Sequence, residues 1–295
     1  MIAGLASGSG KTMVTLGLLR ALARRGKAPA VGKTGPDYID SGFLTTATGR
    51  EAVNLDQFAM SKSLLAHLAA DQAGDTLIIE GVMGLFDGAS GSAGSSAALA
   101  KTLDIPVILV LDVRHTAQTA AMIAAGIASI LPAGRITGVI LNHVASPRHL
   151  ALVSEALAAH QISLFGSVPS RDGLAVPSRH LGLVQAADFD NACLEQILDH
   201  AADLIDEYCD LDAILDAAQK LPAADKAVAA LPLPFTSPSA MSPPVKTIAV
   251  ANDAAFGFAY HHLLAGWQQQ GAEIQPFSPL NDEKPADDAD FIFLP

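Results

Sequence analysis

Basic side chains are scarce in this sequence: 18 lysines and arginines stand against 30 aspartates and glutamates, a formal net charge of −12. Nucleic acid and an anionic membrane surface repel such a chain on average, so neither is expected as a partner and a small molecule is. Cysteine is scarcer still. Cys193 and Cys209 both fall in one acidic helical stretch, which provides neither a disulfide framework nor a Cys-rich metal site and fits a reducing cytoplasm. No basic leader followed by an apolar run opens the chain. The longest uncharged stretch, 116–134, is dominated by alanine and broken by Gln118, Ser129 and Pro132, so it predicts a buried helix and not a membrane span. The histidines lack zinc-like spacing, no Ser-His-Asp arrangement can be argued, and no internal repeat is evident.

What is present is apolar residue and glycine at telling places. With 295 residues, 50% of them hydrophobic, the chain can bury one large α/β core and part of a second domain. Near its start, Gly4-Leu5-Ala6-Ser7-Gly8-Ser9-Gly10-Lys11-Thr12 runs from an apolar segment through a glycine-rich loop into a helix. A triphosphate needs bare backbone N–H groups and positive charge; Gly8, Ser9 and Gly10 offer the first, Lys11 and the helix N-terminus the second, and Thr12 offers a hydroxyl to Mg²⁺. The common pattern places glycine at the position of Leu5, so this phosphate loop is a variant.

Helical spacing over 11–25 gathers Arg20, Arg24 and Arg25 toward the helix C-terminus, where positive charge suits the dipole. Short apolar runs at 28–31, 76–79, 107–111, 136–141 and 163–168 then alternate with helical patterns at 61–70, 95–103, 116–130 and 147–160. Repeated β-α-β predicts an α/β fold with a doubly wound parallel sheet of the P-loop NTPase type. Acidic helices over 188–218 close a first domain, 1–218. An Ala/Pro/Ser-rich linker occupies 219–245, and 246–295 reads as the start of a further α/β domain cut off before completion.

In such sheets the ligand lies beyond the carboxyl ends of the strands. There the sequence sets Lys33-Thr34-Gly35-Pro36-Asp37-Tyr38-Ile39-Asp40 after the second run and Glu80-Gly81-Val82-Met83-Gly84-Leu85-Phe86-Asp87-Gly88 after the third. Glu80, Asp37 and Asp87 are candidate Mg²⁺ or catalytic carboxylates, because magnesium keeps several waters and takes one or two carboxylates beside phosphate. Asn142, read as following its strand, can pair with adenine or make an Asx turn, and Arg179-His180 offer donors on another ligand-facing loop or a solvated turn.

Taken jointly, Gly4–Thr12, Gly35–Asp40, Glu80–Gly88, Gly138–Asn142, Arg179–Leu183 and the segment 248–256 resemble the glutamine-dependent corrin a,c-diamide synthases. The resemblance implies ATP-dependent amidation of cobyrinic or hydrogenobyrinic acid through an acyl phosphate, with nitrogen from glutamine or ammonia. It implies catalytic roles for Lys11, Asp37, Glu80 and Asp87, a metal site of Thr12, Asp37 and Glu80, and substrate contacts from Tyr38, Asp40, Arg179 and His180. Ser41 stands where the family pattern carries proline, and the family's glutaminase cysteine and histidine are not met before Pro295. A polycarboxylate substrate also calls for a basic mouth, for which Lys33, Arg50, Arg114, Arg148, Arg171 and Arg179 are the candidates. A homodimer stays open. The rival readings are a dethiobiotin-synthetase-like ligase and a partition-type switch ATPase, the latter disfavoured by Ala6 where that group carries a second lysine.

Overall fold

The computed structural model describes residues 1–72, 74–132, 134–170, 191–219 and 241–295. In chain order the first part contains β1 (Ile2–Gly4), α1 (Lys11–Arg24), β2 (Pro29–Thr34), α2 (Tyr38–Thr48), β3 (Val53–Leu55), α3 (Lys62–Ala70) and β4 (Thr76–Glu80). There follow α4 (Ser96–Leu103), β5 (Val107–Asp112), α5 (Gln118–Ile130), β6 (Ile136–Val144), α6 (Pro147–Ala159), β7 (Leu164–Pro169), α7 (Asn191–Tyr208) and α8 (Leu211–Asp216). These seven strands form one sheet in the order β3-β2-β4-β1-β5-β6-β7, and every pair in it is parallel. The doubly wound α/β architecture expected from the alternation is the observed one.

Side chains alternate across the sheet with a period of two. Val107, Leu109 and Leu111 of β5 pack into a core with α3, α4, α5 and α6, while Ile108 and Val110 face a second core with α1, α2, α7 and α8. Each fully buried Leu or Ile in these layers contributes about 1.5–3 kcal/mol. Gly17 lets α1 and α7 come together, since a Cβ there would lie 2.5 Å from the Ala201 carbonyl oxygen. The arginines expected to serve the helix dipole instead reach across to α7. Arg20 meets Glu195 and Asp199, Arg24 meets Asp199 and Asp203, and Arg25 meets Asp206, the last at 2.9 Å. These pairs are partly exposed, so each is worth at most about 1 kcal/mol and chiefly sets which helix α1 faces.

Four expectations need correction. First, α2 and β3 are structured in a stretch to which the alternating pattern assigns no helix or strand. Gly and Thr make the α2 sequence a poor helix former, but Asp37 caps it by accepting from the Asp40 N–H, and Phe43, Leu44 and Ala47 are buried. Second, β2 runs on to Thr34, so Lys33 lies inside the strand and not in a loop after it. Third, β6 continues to Val144, which puts Asn142 within the strand. Fourth, α5 buries one face only: Met122, Ile123 and Ile130 are exposed. Among the described residues no helix is long and apolar enough to cross a membrane.

A second, three-stranded parallel sheet, in the order β10-β8-β9, is built from β8 (Thr247–Ala251), β9 (Glu273–Phe277) and β10 (Phe291–Phe293), with helix α9 (His261–Gln269) against it. Trp267 of α9 packs edge-on to Phe293 at 5.7 Å. Phe291 and Ile292 of edge strand β10 remain exposed, as does Leu294 beyond it. This part touches the large sheet through Tyr260, whose hydroxyl donates to Asp56 at 2.7 Å, and through His261, 2.8 Å from Glu51.

Candidate functional site

β1 lies at the centre of the sheet between β4 and β5, with β6 beyond β5, and the phosphate loop follows β1. Gly10 N-caps α1 with φ of 90°, a left-handed conformation, and has no side chain with which to cap the helix, so the first-turn N–H groups stay available to an anion. Its missing Cβ is also a spatial requirement: a methyl group there would lie 2.0 Å from Asn142 Nδ2. The Asn142 amide donates to the Ser9 carbonyl at 3.0 Å and accepts from the His143 N–H at 3.0 Å. Asn142 thus braces the phosphate loop from β6, which lies beyond β5 in the sheet. Lys11 is buried and folded back on its own loop, with Nζ donating to the Ala6 carbonyl at 2.9 Å, and burial pulls its pKa below the ordinary lysine value.

The second half of the site is an acid cluster around a lysine. Lys33 and Glu80 are register partners on β2 and β4, so their side chains share a face. Lys33 is 2% exposed; Nζ lies 3.1 Å from Glu80 Oε1, 3.4 Å from Asp37 Oδ2 and in close contact with Asp40 Oδ2. Desolvation works against the ammonium, but Glu80, Asp40 and Asp37 outweigh it and raise its pKa, so it stays charged. Asp40 is pushed up to about 7, first by burial and then by the charge of Glu80. Glu80 Oε1 also accepts from the Thr12 hydroxyl at 2.6 Å, which joins the cluster to the phosphate loop. Oε2 of the fully buried Glu80 has no hydrogen-bond partner. A buried carboxylate oxygen left in that state is costly unless a ligand takes it up. No group of three or more His, Cys, Asp or Glu able to cage a metal occurs among the described residues, so the protein oxygens open to a hard cation are few, Thr12 Oγ1 and the Glu80 carboxylate foremost.

The structure thus brings together Lys11, Thr12, Lys33, Asp37, Asp40 and Glu80. The segment from Gly81 to Asp87 is stitched to β1, the strand that leads into the phosphate loop, by Gly81 N–H to Ile2 O and Leu85 N–H to Gly4 O, both at 2.8 Å. Asp87 is exposed and accepts from the Gly84 N–H at 2.9 Å, closing that turn. Arg171, Arg179 and His180 lie outside the described residues.

Lys33 cannot serve a basic mouth, because it is sealed among three carboxylates. Arg114 is turned onto Asp112 of its own segment. Sequence reasoning missed Asn54, whose Nδ2 donates to the Gly35 and Asp37 carbonyls at 3.0 and 3.2 Å and fixes the acid loop. It also missed Asp56; no periodicity marks either residue, since Asn54 reaches back to Gly35 and Asp37 and Asp56 reaches forward to Tyr260. Ser41 fits where the resembled pattern has proline: its hydroxyl donates to the Asp37 carbonyl at 2.8 Å, a bond internal to the start of α2.

Residues 1–184 match the CbiA family, the CobQ/CobB/MinD/ParA nucleotide binding domain. The chain belongs to this family. Curated relatives are named hydrogenobyrinate a,c-diamide synthase: that of Mesorhizobium japonicum is 48% identical over 98% of this chain and 64% of its own length. Those of Brucella anthropi and Rhodobacter capsulatus are 46% and 45% identical, each over 100% of this chain and 66% of the relative. The chain therefore spans 64% and 66% of the length of the first two of these relatives. Among solved structures, that of chloroplast FtsY from Physcomitrella patens aligns with a TM-score of 0.44 at 19% identity, covering 67% of this chain and 64% of that one, too remote to bear on function.

Proposed function

We propose that the chain carries the ATP-dependent synthetase activity of a corrin a,c-diamide synthase. A substrate carboxylate oxygen attacks the γ-phosphorus of ATP and ADP leaves; ammonia then attacks the acyl carbon, the C–O bond to phosphate breaks, and an amide remains after loss of a proton. The reaction is run at the a and c carboxylates of cobyrinic or hydrogenobyrinic acid. What carries the reading is the conjunction of a phosphate loop joined to an acid cluster through Thr12–Glu80 with relatives of that name at 45–48% identity along nearly the whole chain.

In this reading Lys11 swings from Ala6 to the phosphates and, with Gly8, Ser9 and Gly10, binds and orients them; Asn142 supports the loop and turns its remaining amide capacity to the base. Mg²⁺ would be held by Thr12, Glu80 and Asp37, directly or through water, and the partnerless Glu80 Oε2 fits that demand. When bound it spreads the charge of the transferring phosphoryl group. Lys33 holds Asp37, Asp40 and Glu80 in place, Asp87 fixes the turn that faces the loop, and Tyr38 and Asp40 border the substrate. Arg179 and His180 belong to the substrate side by the same reading. Residues 1–218 are the synthetase module, 219–245 a linker, and 246–295 part of a glutaminase-like module. Neither cysteine is placed to open glutamine: Cys193 lies on α7, and Cys209 packs against Gly166 with its thiol pushed up to about 12 by burial. In this reading the synthetase module consumes nitrogen as ammonia.

The test is release of ADP with and without a corrinoid acid, with ammonium or glutamine as nitrogen source. Corrinoid-dependent ADP release with ammonium is expected. ADP release indifferent to the corrinoid would overturn the reading.

A further inference from the structure

Beside the acid cluster lies an open cavity of about 640 Å³ whose walls are mostly apolar and which shares Asp37 with that cluster. This volume falls in the range of about 300–1,000 Å³ usual for small-molecule sites. Three large apolar side chains line it yet remain in solvent: Phe58 is 68% exposed, Met83 44% and Phe258 41%. Exposed residues of this kind are commonly mobile, but the two aromatic rings are held. The Phe58 N–H donates to Asp56 Oδ1 at 2.9 Å, the adjacent Gln57 is tied to the Ser95 carbonyl at 3.1 Å, and the Phe58 ring lies over Gly94, where a Cβ would come within 2.2 Å of it. Phe258 comes from the segment after β8 and stacks on Tyr38, the first residue of α2, with ring centroids 5.3 Å apart and planes 10° from parallel. Tyr38 in turn meets Tyr260 at 5.1 Å, and Tyr260 donates to Asp56 Oδ2 at 2.7 Å. One buried carboxylate, Asp56, therefore pins both aromatic walls, Phe58 through one oxygen and the Tyr38–Phe258 stack through the other.

We propose that Phe58, Met83 and Phe258 form a cradle for the flat apolar face of a corrin-type macrocycle, with Asp56 and Tyr260 as positioning residues. The proposal rests on the amidation reading above. The occupant follows from two demands that one ligand must meet. Its edge must bring a carboxylate to the phosphate loop beside Asp37, and its body must cover two aromatic rings and a polarisable thioether. A wide ring with carboxylates at its periphery does both, whereas a small aliphatic acid would leave Phe58 and Phe258 in water. Because Phe258 lies in the second sheet's part of the chain, that part completes the substrate pocket of the first.

The test is equilibrium binding of hydrogenobyrinic acid and, separately, of a non-hydrolysable ATP analogue to the whole chain. Phe58→Ala and Phe258→Ala should each weaken corrinoid binding about tenfold, as loss of one stacking wall predicts, and leave the ATP analogue within about twofold. Phe258→Tyr should restore it. Tyr260→Phe should raise KM for the corrinoid with kcat unchanged. Variants that bind the corrinoid as well as the parent does would overturn the cradle and leave the amidation reading standing. Loss of the ATP analogue together with the corrinoid would show the aromatics to be holding the fold, which also overturns the cradle. A parent protein that binds no corrinoid acid would overturn the amidation reading and the cradle with it.

Discussion

Lys33 and Glu80 face each other across adjacent parallel strands, with the ammonium 3.1 Å from a carboxylate that is itself wholly buried and hydrogen-bonded to Thr12. The pair couples the nucleotide loop to the loop bearing Asp37 and Asp40, so a change at either strand end is felt at the other.

Removing the lysine alone would strand three neighbouring carboxylates. Lys33→Met should therefore destabilise the protein by about 3–5 kcal/mol, the cost of breaking a buried pair from one side. Lys33→Met with Glu80→Gln should recover part of that loss, since the second change removes a buried charge. Urea unfolding of the single and double variants measures both; an additive double variant would refute the coupling.

Glu80→Gln should also raise the Mg²⁺ concentration needed for half-maximal ATP turnover by about 10–100-fold, because the amide replaces the carboxylate oxygen that has no protein partner. Lys11→Ala should abolish turnover while leaving the melting temperature near the parent value. A metal titration identical to the parent's would remove Glu80 from the metal site.

Gly10→Ala should eliminate nucleotide binding without unfolding the chain. The methyl group would face both a φ of 90° and the Asn142 amide at 2.0 Å. Combining it with Asn142→Ala relieves the clash but not the backbone strain of about 1–2 kcal/mol, so binding should return only in part. Titration with a fluorescent ATP analogue distinguishes the three variants.

Asp40 predicts a pH dependence of stability. Its folded pKa stands near 7 against an ordinary 3.8, so between those values the folded protein holds a proton that the unfolded chain has released. The stability contributed by this group is full below about pH 4 and is lost as pH rises through about 7. Asp40→Asn stays neutral throughout, so its melting temperature relative to the parent should climb from about pH 4 to about pH 8. A difference that stays flat across that range would mean that Asp40 does not carry the proton.

The phosphate loop, the strand-helix alternation and the acids at Asp37, Asp40 and Glu80 were legible in the sequence, because each depends on local pattern: glycine spacing, apolar periodicity, a charged residue at the end of an apolar run. That information is enough to fix the fold class and to point at the end of the sheet where chemistry can occur. α2 was not legible, since its helix rests on a cap at Asp37 and on burial of Phe43 and Leu44, not on propensity.

Other features required the tertiary structure because they depend on distance between residues remote in the chain. Lys33 and Arg114 looked alike as basic residues near ligand-facing loops; strand register buried the first among three carboxylates and left the second at the surface on Asp112. Asn142 was visible as an amide, but only the packing of β6 beside the phosphate loop turned it onto Ser9 and Gly10. Asp56 had no signal at all, and its place between Phe58 and Tyr260 exists because 204 residues of separation close to a hydrogen bond. Local sequence selects conformations through sterics and periodicity, whereas charge neutralisation and the walls of a cavity are set by which strands lie side by side.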